Sequence, residues 1–346
     1  MKSKIILGIE SSCDETSVAV IEKNGDRVRL LSNIISSSIE IQTKYGGIVP
    51  EQAAREQLKA IIAVITESLR SAQCKPQDLD AISVTQGPGL IGSLLVGVET
   101  AKTLSLIWDK PLIPVNHLIA HFYANWIEIE GQPSFQPPIF PAIGLLVSGG
   151  HTDLILMKNH GVYEYLGGTR DDAAGECFDK CARILGIASY PGGVKLAELA
   201  RGGDPSQITL PKPMLNSGDL DFSFSGLKTA VLNLTQKDPN FNDNLSNIAA
   251  SIEKSIVDVL VKKTILAVQR NKIEQVMIAG GVAANSQLRE ILQIELSKAQ
   301  SRVELSIPPV SLCTDNGAVT AVCALFNFKE VSPLTLQADP NITLRI

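Results

Sequence analysis

The sequence predicts an α/β fold built from two similar lobes. Three observations carry this expectation. A β-meander opens the chain, the same pattern restarts after a proline-rich connector, and each half closes with a strand, a glycine turn and a helix.

Residues 4–10 are an apolar run too short for a signal sequence core and without a small-residue cleavage site, so they read as a buried first strand. The polar loop Ser11-Ser12-Cys13-Asp14-Glu15 follows, then strands at 16–22 and 27–37 joined by an Asn24-Gly25 turn. Residues 51–71 have helical periodicity, with Ala54, Leu58, Ile61, Ile62, Ile65 and Leu69 assigned to one face. Leu79–Thr85 is a buried strand ending in Gln86-Gly87-Pro88-Gly89; a long apolar helix runs to Ile107, and a short strand spans 111–115. Pro133-Ser134-Phe135-Gln136-Pro137-Pro138 reads as the connector.

Beyond it, strands are expected at 139–147, 152–158 and 162–168, then helices at 171–186, 194–201, 225–236 and 246–270. A strand at 275–279, a Gly280-Gly281 turn, a helix at 285–297, a strand at 302–307 and a last helix from Asp315 to Phe326 complete the chain. Thr16–Ile21 ending at Gly25 aligns with Thr152–Met157 ending at Gly161, and Asp80–Val84 before Gly87 aligns with Glu274–Ile278 before Gly281. The expected lobes are 1–116 with 313–346, and 117–312, the latter carrying a helical insertion. Facing lobes would leave a cleft lined by two Ser/Gly/Thr-rich hairpin turns whose N–H groups suit a nucleotide's phosphates, the arrangement of the actin, hexokinase and Hsp70 group.

Hydrophobic residues make up 45% of the 346 residues and charged ones 19%, an ordinary globular balance with no run of about 18 apolar residues to span a membrane. Six scattered cysteines without a secretion signal predict free thiols in the cytoplasm; Cys177 and Cys181, one helical turn apart, read as small buried hydrophobes. A net charge of −5 lacks the basic excess of a dedicated nucleic-acid binder, so any nucleic-acid contact must rest on a local patch or a partner.

His117-Leu118-Ile119-Ala120-His121 places two imidazoles on one helical face, able to ligate one ion, with Asn116 as the helix cap. Two histidines satisfied by backbone acceptors are the plainer alternative. The zinc-peptidase pattern His-Glu-x-x-His is excluded by Leu118, which cannot take a proton from a metal-bound water. Asp315 is either the cap of the last helix or a third ligand. Leu146–Asp153 is the second lobe's phosphate turn, Ala279–Asn285 a turn where adenosine could lie on the backbone, and Tyr190-Pro191-Gly192-Gly193 a second such loop. Asp171–Lys180 crowds four carboxylates together; Asp172, Glu176 and Asp179 share a face that suits ribose hydroxyls, or simply favour a helix start.

These pieces, with Gly8–Thr16, Gly87-Pro88-Gly89, Phe222–Lys228 and Cys313–Ala318, resemble the TsaD (Gcp/Kae/Qri) family across essentially the whole chain, nine motifs in order. The resemblance implies an actin-like (ASKHA) fold with a central nucleotide and metal cleft. It implies an acyltransferase that moves a threonylcarbamoyl group from threonylcarbamoyl-AMP to N6 of the adenosine at tRNA position 37, in tRNAs reading codons that begin with A. It implies one divalent metal, Fe2+ first and Zn2+ second, on His117, His121 and Asp315. The adenylate would lie on Leu146, Val147, Ser148, Gly149, Gly150, Asp179, Gly192 and Asn285. Where relatives carry an acid four residues beyond that glycine, this chain has Leu196. Asp14 or Glu15 would orient the incoming amine or take its proton, unless they only cap local N–H groups. Partners would be the tRNA anticodon loop, a TsaB-like paralogue, a TsaE-like ATPase and an upstream TsaC-like synthase, with no membrane. The rival readings are a small-molecule carbamoyltransferase, an actin-like kinase and a non-catalytic nucleotide-binding regulator.

Overall fold

A computed structural model describes residues 3–25, 27–128, 136–188, 190–298 and 303–345. Pro133, Ser134 and Phe135 of the expected connector, and residue 302 of the expected strand 302–307, lie outside the described residues. The chain divides into two compact units, Met1–Pro138 with Pro309–Ile346, and Ile139–Pro308.

In the first unit β1 (Lys4–Glu10), β2 (Glu15–Asn24) and β3 (Arg27–Ser37) form the meander, followed by α1 (Ile39–Tyr45) and α2 (Pro50–Ser71). The chain continues through β4 (Ala81–Gly87), α3 (Ile91–Trp108), β5 (Leu112–Asn116) and α4 (His117–Phe122). Strand order is β3-β2-β1-β4-β5, with β1 antiparallel to β2 and parallel to β4. Both faces of β1 are covered, which is why it is a continuous apolar run and not an alternating one. Leu7 and Ile9 pack with Ile61, Val64 and Val98. Gly8 points the other way.

The second unit repeats this plan. β6 (Ala142–Val147), β7 (Thr152–Asn159) and β8 (Val162–Gly168) form a meander. Four helices follow: α5 (Ala174–Ile184), α6 (Gly192–Ala200), α7 (Ser225–Lys237) and α8 (Leu245–Asn271). β9 (Gln275–Ala279), α9 (Ser286–Ser297) and β10 (Glu304–Ser306) close it, and α10 (Gly317–Phe326) returns to the first unit. The order β10-β9-β6-β7-β8 is the first sheet's order read from the other edge. The registers agree as well: Gly8 sits opposite Ser83, and Gly144 opposite Met277, at matching places in the two sheets. The duplication inferred from a few identities is therefore present in topology.

Three expectations shift. The first unit extends to Pro138 and does not stop at residue 116, because α4 and the turn after it pack on α10. The α2 face is rotated: Gln57, Ile61, Val64, Ile65 and Ser68 are buried, whereas Leu58 and Ile62 are 68% and 62% exposed. Finally, α3 is long and apolar enough by length and composition to cross a membrane. It lies against β4 and α2, with a Glu99–Lys102 ion pair on its surface.

α10 crosses β1 with no room for side chains. A Cβ on Gly317 would stand 2.6 Å from the Gly8 carbonyl oxygen, and one on Gly8 would collide with the Gly317 carbonyl. Gly8→Ala is expected to destabilise the chain by about 1–3 kcal/mol or more, as overpacking does. Denaturant titration measures this, and an unchanged midpoint would contradict the crossing geometry.

Candidate functional site

The first unit's candidate site gathers at the carboxyl end of β1. Asn116 caps α4 as expected, its Oδ1 accepting from the Leu118 and Ile119 N–H groups at 2.9 and 3.2 Å. This sets His117 and His121 one turn apart with Nε2 atoms 3.2 Å from each other. Asp315 arrives from the other end of the chain. Its Oδ1 lies 3.3 Å from His121 Nε2 and 3.8 Å from His117 Nε2. The cap of α10 is not Asp315 but Asn316, which accepts from Ala318 and Val319 N–H. With the cap supplied by its neighbour, the Asp315 carboxylate is directed at the histidines.

The three ligand atoms lie within 4.8 Å of one another. Bonds of about 2.0–2.2 Å from nitrogen and carboxylate oxygen to one ion fit these separations. Two imidazole Nε2 atoms that face each other also suit a shared cation. The residues fit a metal ion.

Sequence reasoning missed Glu10. Its side chain is 1% exposed. Oε1 accepts from the Ser12 N–H at 2.6 Å; Oε2 accepts from Thr85 Oγ1 and, at 3.2 Å, from His117 Nδ1. That bond fixes the imidazole with Nε2 aimed at His121 and Asp315, the carboxylate–histidine arrangement common behind metal ligands. Burial pulls the His117 pKa down, but Glu10 and then Asp315 outweigh it and hold it at about 9. Burial would raise Glu10; His117 outweighs it, and the carboxyl falls below its usual range. A charged residue closing an apolar strand was the available signal, since a buried carboxylate requires partners.

Asp14 and Glu15 lie on the loop from β1 to β2. Gln57 donates to the carbonyls of Ser11, Cys13 and Glu15, pinning the loop to α2. Glu15 Oε1 accepts from Ser37 Oγ at 2.8 Å, while Oε2 is buried without a hydrogen-bond partner among the described residues. Burial raises the Glu15 pKa to about 7, with Asp14 and Asp315 adding to the rise against Ser37. The Asp14 carbonyl accepts from the Ser38 N–H and hydroxyl.

The second unit places Leu146–Gly150 at the carboxyl end of β6 and Asn285 after the carboxyl end of β9, while Asp179 and Gly192 meet each other between α5 and α6. Leu146 and Val147 are fully buried in the sheet, so only their backbone is available at the strand end. Ser148 and His151 close the turn with reciprocal bonds, Ser148 N–H to His151 O and His151 N–H to Ser148 Oγ. Gly149 and Gly150 do not adopt the positive φ expected of such glycines; a Cβ on either would meet open space. The positive φ falls instead on Gly280, at 89°, where a Cβ would stand 2.5 Å from the Val147 carbonyl oxygen. Gly175 at the start of α5 is similarly pressed on the Ser148 carbonyl.

The acidic cluster behaves differently from expectation. Asp171 caps α7 through Phe224 N–H and the Ser223 and Ser225 hydroxyls. Lys180 pairs with Asp172 Oδ1 and Glu176 at 2.7 and 2.8 Å, while Asp172 Oδ2, 3.5 Å from Lys228 Nζ, is buried without a hydrogen-bond partner among the described residues. Asp179 Oδ1 accepts from the Gly192 and Gly193 N–H groups at 2.8 and 2.7 Å, which ties the glycine loop to α5 and uses the Gly192 donor. Asn285 caps α9 through Leu288 N–H and donates from Nδ2 to Glu253 Oε1 at 2.6 Å. Cys177 and Cys181 are buried and free, their sulfurs 4.0 Å apart.

Residues 29–322 match the family model described as TsaD, tRNA N6-adenosine threonylcarbamoyltransferase. Curated proteins of that name are similar over nearly full length. The Dehalococcoides mccartyi protein is 50% identical, over 93% of each chain. Those of Listeria innocua and Thermosipho africanus are 46% and 47% identical, covering 99% and 98% of this chain and 97% and 100% of theirs. Among solved structures, full-length HypF aligns with TM-score 0.57 at 15% identity, over 95% of this chain and 47% of HypF. Component A of the Acidaminococcus fermentans (R)-2-hydroxyglutaryl-CoA dehydratase aligns at 0.53 and 18% identity, over 92% and 96%. The fold is α/β and actin-like, with two lobes.

The Glu15 carboxyl binds its proton more tightly when folded than at the unfolded value of about 4.3. Its contribution to stability is complete below that value and declines as pH rises to about 7. Relative to Glu15→Gln, the wild type should therefore lose melting temperature between those limits in chelator-treated protein. A pH-independent difference between the two would contradict it.

Proposed function

Since the chain belongs to the tRNA N6-adenosine threonylcarbamoyltransferase family, we propose that it transfers the threonylcarbamoyl group of threonylcarbamoyl-AMP to N6 of the adenosine at tRNA position 37, in tRNAs reading codons that begin with A. The observation that carries the reading is the His117, His121 and Asp315 cluster, with Glu10 behind it and Leu118 where a water-activating peptidase needs its base.

The anhydride is already activated, so no side-chain nucleophile is required. The N6 amine attacks the carbamoyl carbon, the bond from that carbon to the phosphate oxygen breaks, and AMP leaves. His117, His121 and Asp315 would hold one divalent ion, iron before zinc, which when bound supplies a positive charge that polarises a carbonyl or offsets phosphate charge. Gly149 and Gly150 offer open space for the phosphate beside Ser148, whose own N–H is given to the His151 carbonyl; Leu146 and Val147 back the turn from inside the sheet; Gly192, Asp179 and Asn285 border the nucleoside. Glu15 is the better proton acceptor of the two loop acids. Among the described residues its Oε2 is without a hydrogen-bond partner, and burial raises its pKa to about 7. Asp14 orients the loop.

An anticodon-loop adenosine is unpaired and can be splayed out without opening a duplex. With a net charge of −5, tRNA binding is shared with partners. The exposed Leu58 and Ile62 of α2 and Ile91 and Leu95 of α3 are the apolar surface offered to a TsaB-like paralogue. A TsaE-like ATPase and an upstream TsaC-like synthase complete the set. A tRNA substrate supports a cytoplasmic location.

Nucleoside mass spectrometry tests this directly. The protein, given an adenylate source, its partners and unmodified tRNA, should yield threonylcarbamoyladenosine, and His117→Ala should lower the yield at least 100-fold, on the order of losing a key electrostatic group. No modified nucleoside, or full yield from the variant, would refute the reading. Elemental analysis should give one iron or zinc per chain. Glu10→Gln should weaken metal retention against a chelator by roughly 10–100-fold, as loss of a supporting carboxylate does; unchanged retention would remove Glu10 from this role.

A further inference from the structure

Three consecutive serines lie where β3 gives way to α1, and each meets a different part of the loop that carries the two candidate acids. Ser36 stands opposite Thr16 and Ser37 opposite Glu15 across the β2–β3 ladder. Ser38 gives both its N–H and its hydroxyl to the Asp14 carbonyl. Of the three, Ser37 reaches an acid side chain, its Oγ donating to Glu15 Oε1 at 2.8 Å. The same Oγ accepts from the Ile39 N–H at 3.2 Å. That N–H cannot accept in return, so the hydroxyl proton is left for the carboxylate. Gln57 holds the Glu15 backbone from α2 through the Glu15 carbonyl. The two carboxylate oxygens are therefore unlike: Oε1 is held by Ser37, whereas Oε2 is buried without a hydrogen-bond partner among the described residues.

Resting on the reading of Glu15 as the proton acceptor, we propose that Ser37 is its positioning residue: the Ser37 hydroxyl anchors Oε1 and so leaves Oε2 for the attacking amine. A hydroxyl donates more strongly to a carboxylate than to the neutral acid, so Ser37 favours the ionised form, the one able to take a proton. The Ile39 N–H bond polarises that hydroxyl further. The surroundings act the other way. Burial is the largest influence and raises the Glu15 pKa to about 7; Ser37 opposes it, while Asp14 of the same loop and Asp315 before α10 add to the rise. From α2, Glu56 and Lys59 line a cavity of about 180 Å³ together with Ser37, but they pair with each other at 2.6 Å. Ser37 is thus the neighbour that keeps a buried base usable near neutral pH.

The plainer role, a brace between β3 and the start of α1, gives a different readout. Single-turnover transfer to tRNA, measured against pH with the full chain, its partners and saturating adenylate, separates the two. The wild-type rate should rise with pH through an acid limb near 7. Ser37→Ala should move that limb upwards and lower the rate below it roughly three- to tenfold, as loss of one partly exposed hydrogen bond to a charged group does. The profiles should converge at high pH, with the KM for tRNA unchanged. Ser37→Thr keeps a hydroxyl and should restore the wild-type limb, which guards against misfolding of the alanine variant. If Ser37→Ala lowers the rate equally at every pH or not at all, or if Ser37→Thr shifts the limb as alanine does, Ser37 is only a brace and the inference fails. If Glu15→Gln keeps the wild-type profile, Glu15 is not the acceptor, and the inference falls with that reading.

Discussion

The Glu10 carboxylate is the point on which the first unit's site depends. It is buried where β1 ends, and it takes hydrogen bonds from the loop after β1, from Thr85 at the end of β4 and from His117 at the start of α4. Thr320 of α10 stands 3.5 Å away. Four segments distant in sequence are thereby held in one geometry. A charge taken out of water in this way is tolerable only when paired, and removing one partner of such a pair costs roughly 3–5 kcal/mol. That penalty makes the arrangement nearly all-or-none, which is what a ligand set with tight angular demands requires.

Close backbone approach does comparable work wherever a chain segment must come near another without a side chain between them. Gly8 and Gly317 let α10 cross β1, and this crossing delivers Asp315 to histidines nearly two hundred positions earlier. Gly175 and Gly280 let α5 and the β9 turn press on the carbonyls of Ser148 and Val147. The two units share a strand order and place their functional groups at the same end of it, yet the groups differ. In the first unit the helix after β5 carries imidazoles; in the second, glycine turns leave N–H groups and open space. Repetition of a fold with divergence of its loops leaves different groups at equivalent ends of the two sheets.

The acids illustrate why residue type alone does not assign a role. Asp171, Asp172, Glu176 and Asp179 stand close in sequence and had a common expectation, but three are taken by a helix cap or by Lys180, and the fourth ties down a glycine loop. Glu10 and Glu253 drew no attention in the sequence, and both are buried and coupled to groups at the candidate sites.

By itself the sequence determined the α/β class, the order of nearly every element, the duplication, the cap at Asn116 and the spacing of His117 and His121. Each of these is written in local periodicity, in glycine turns or in helix-capping chemistry, which act over a few residues. Tertiary structure alone decided that Asn316 caps α10 so that Asp315 faces the histidines, that Glu10 orients His117, that Glu253 holds Asn285, and that Leu58 and Ile62 face outward. Those outcomes depend on which segments meet, and burial and partnership are properties of the packed chain that no local pattern encodes.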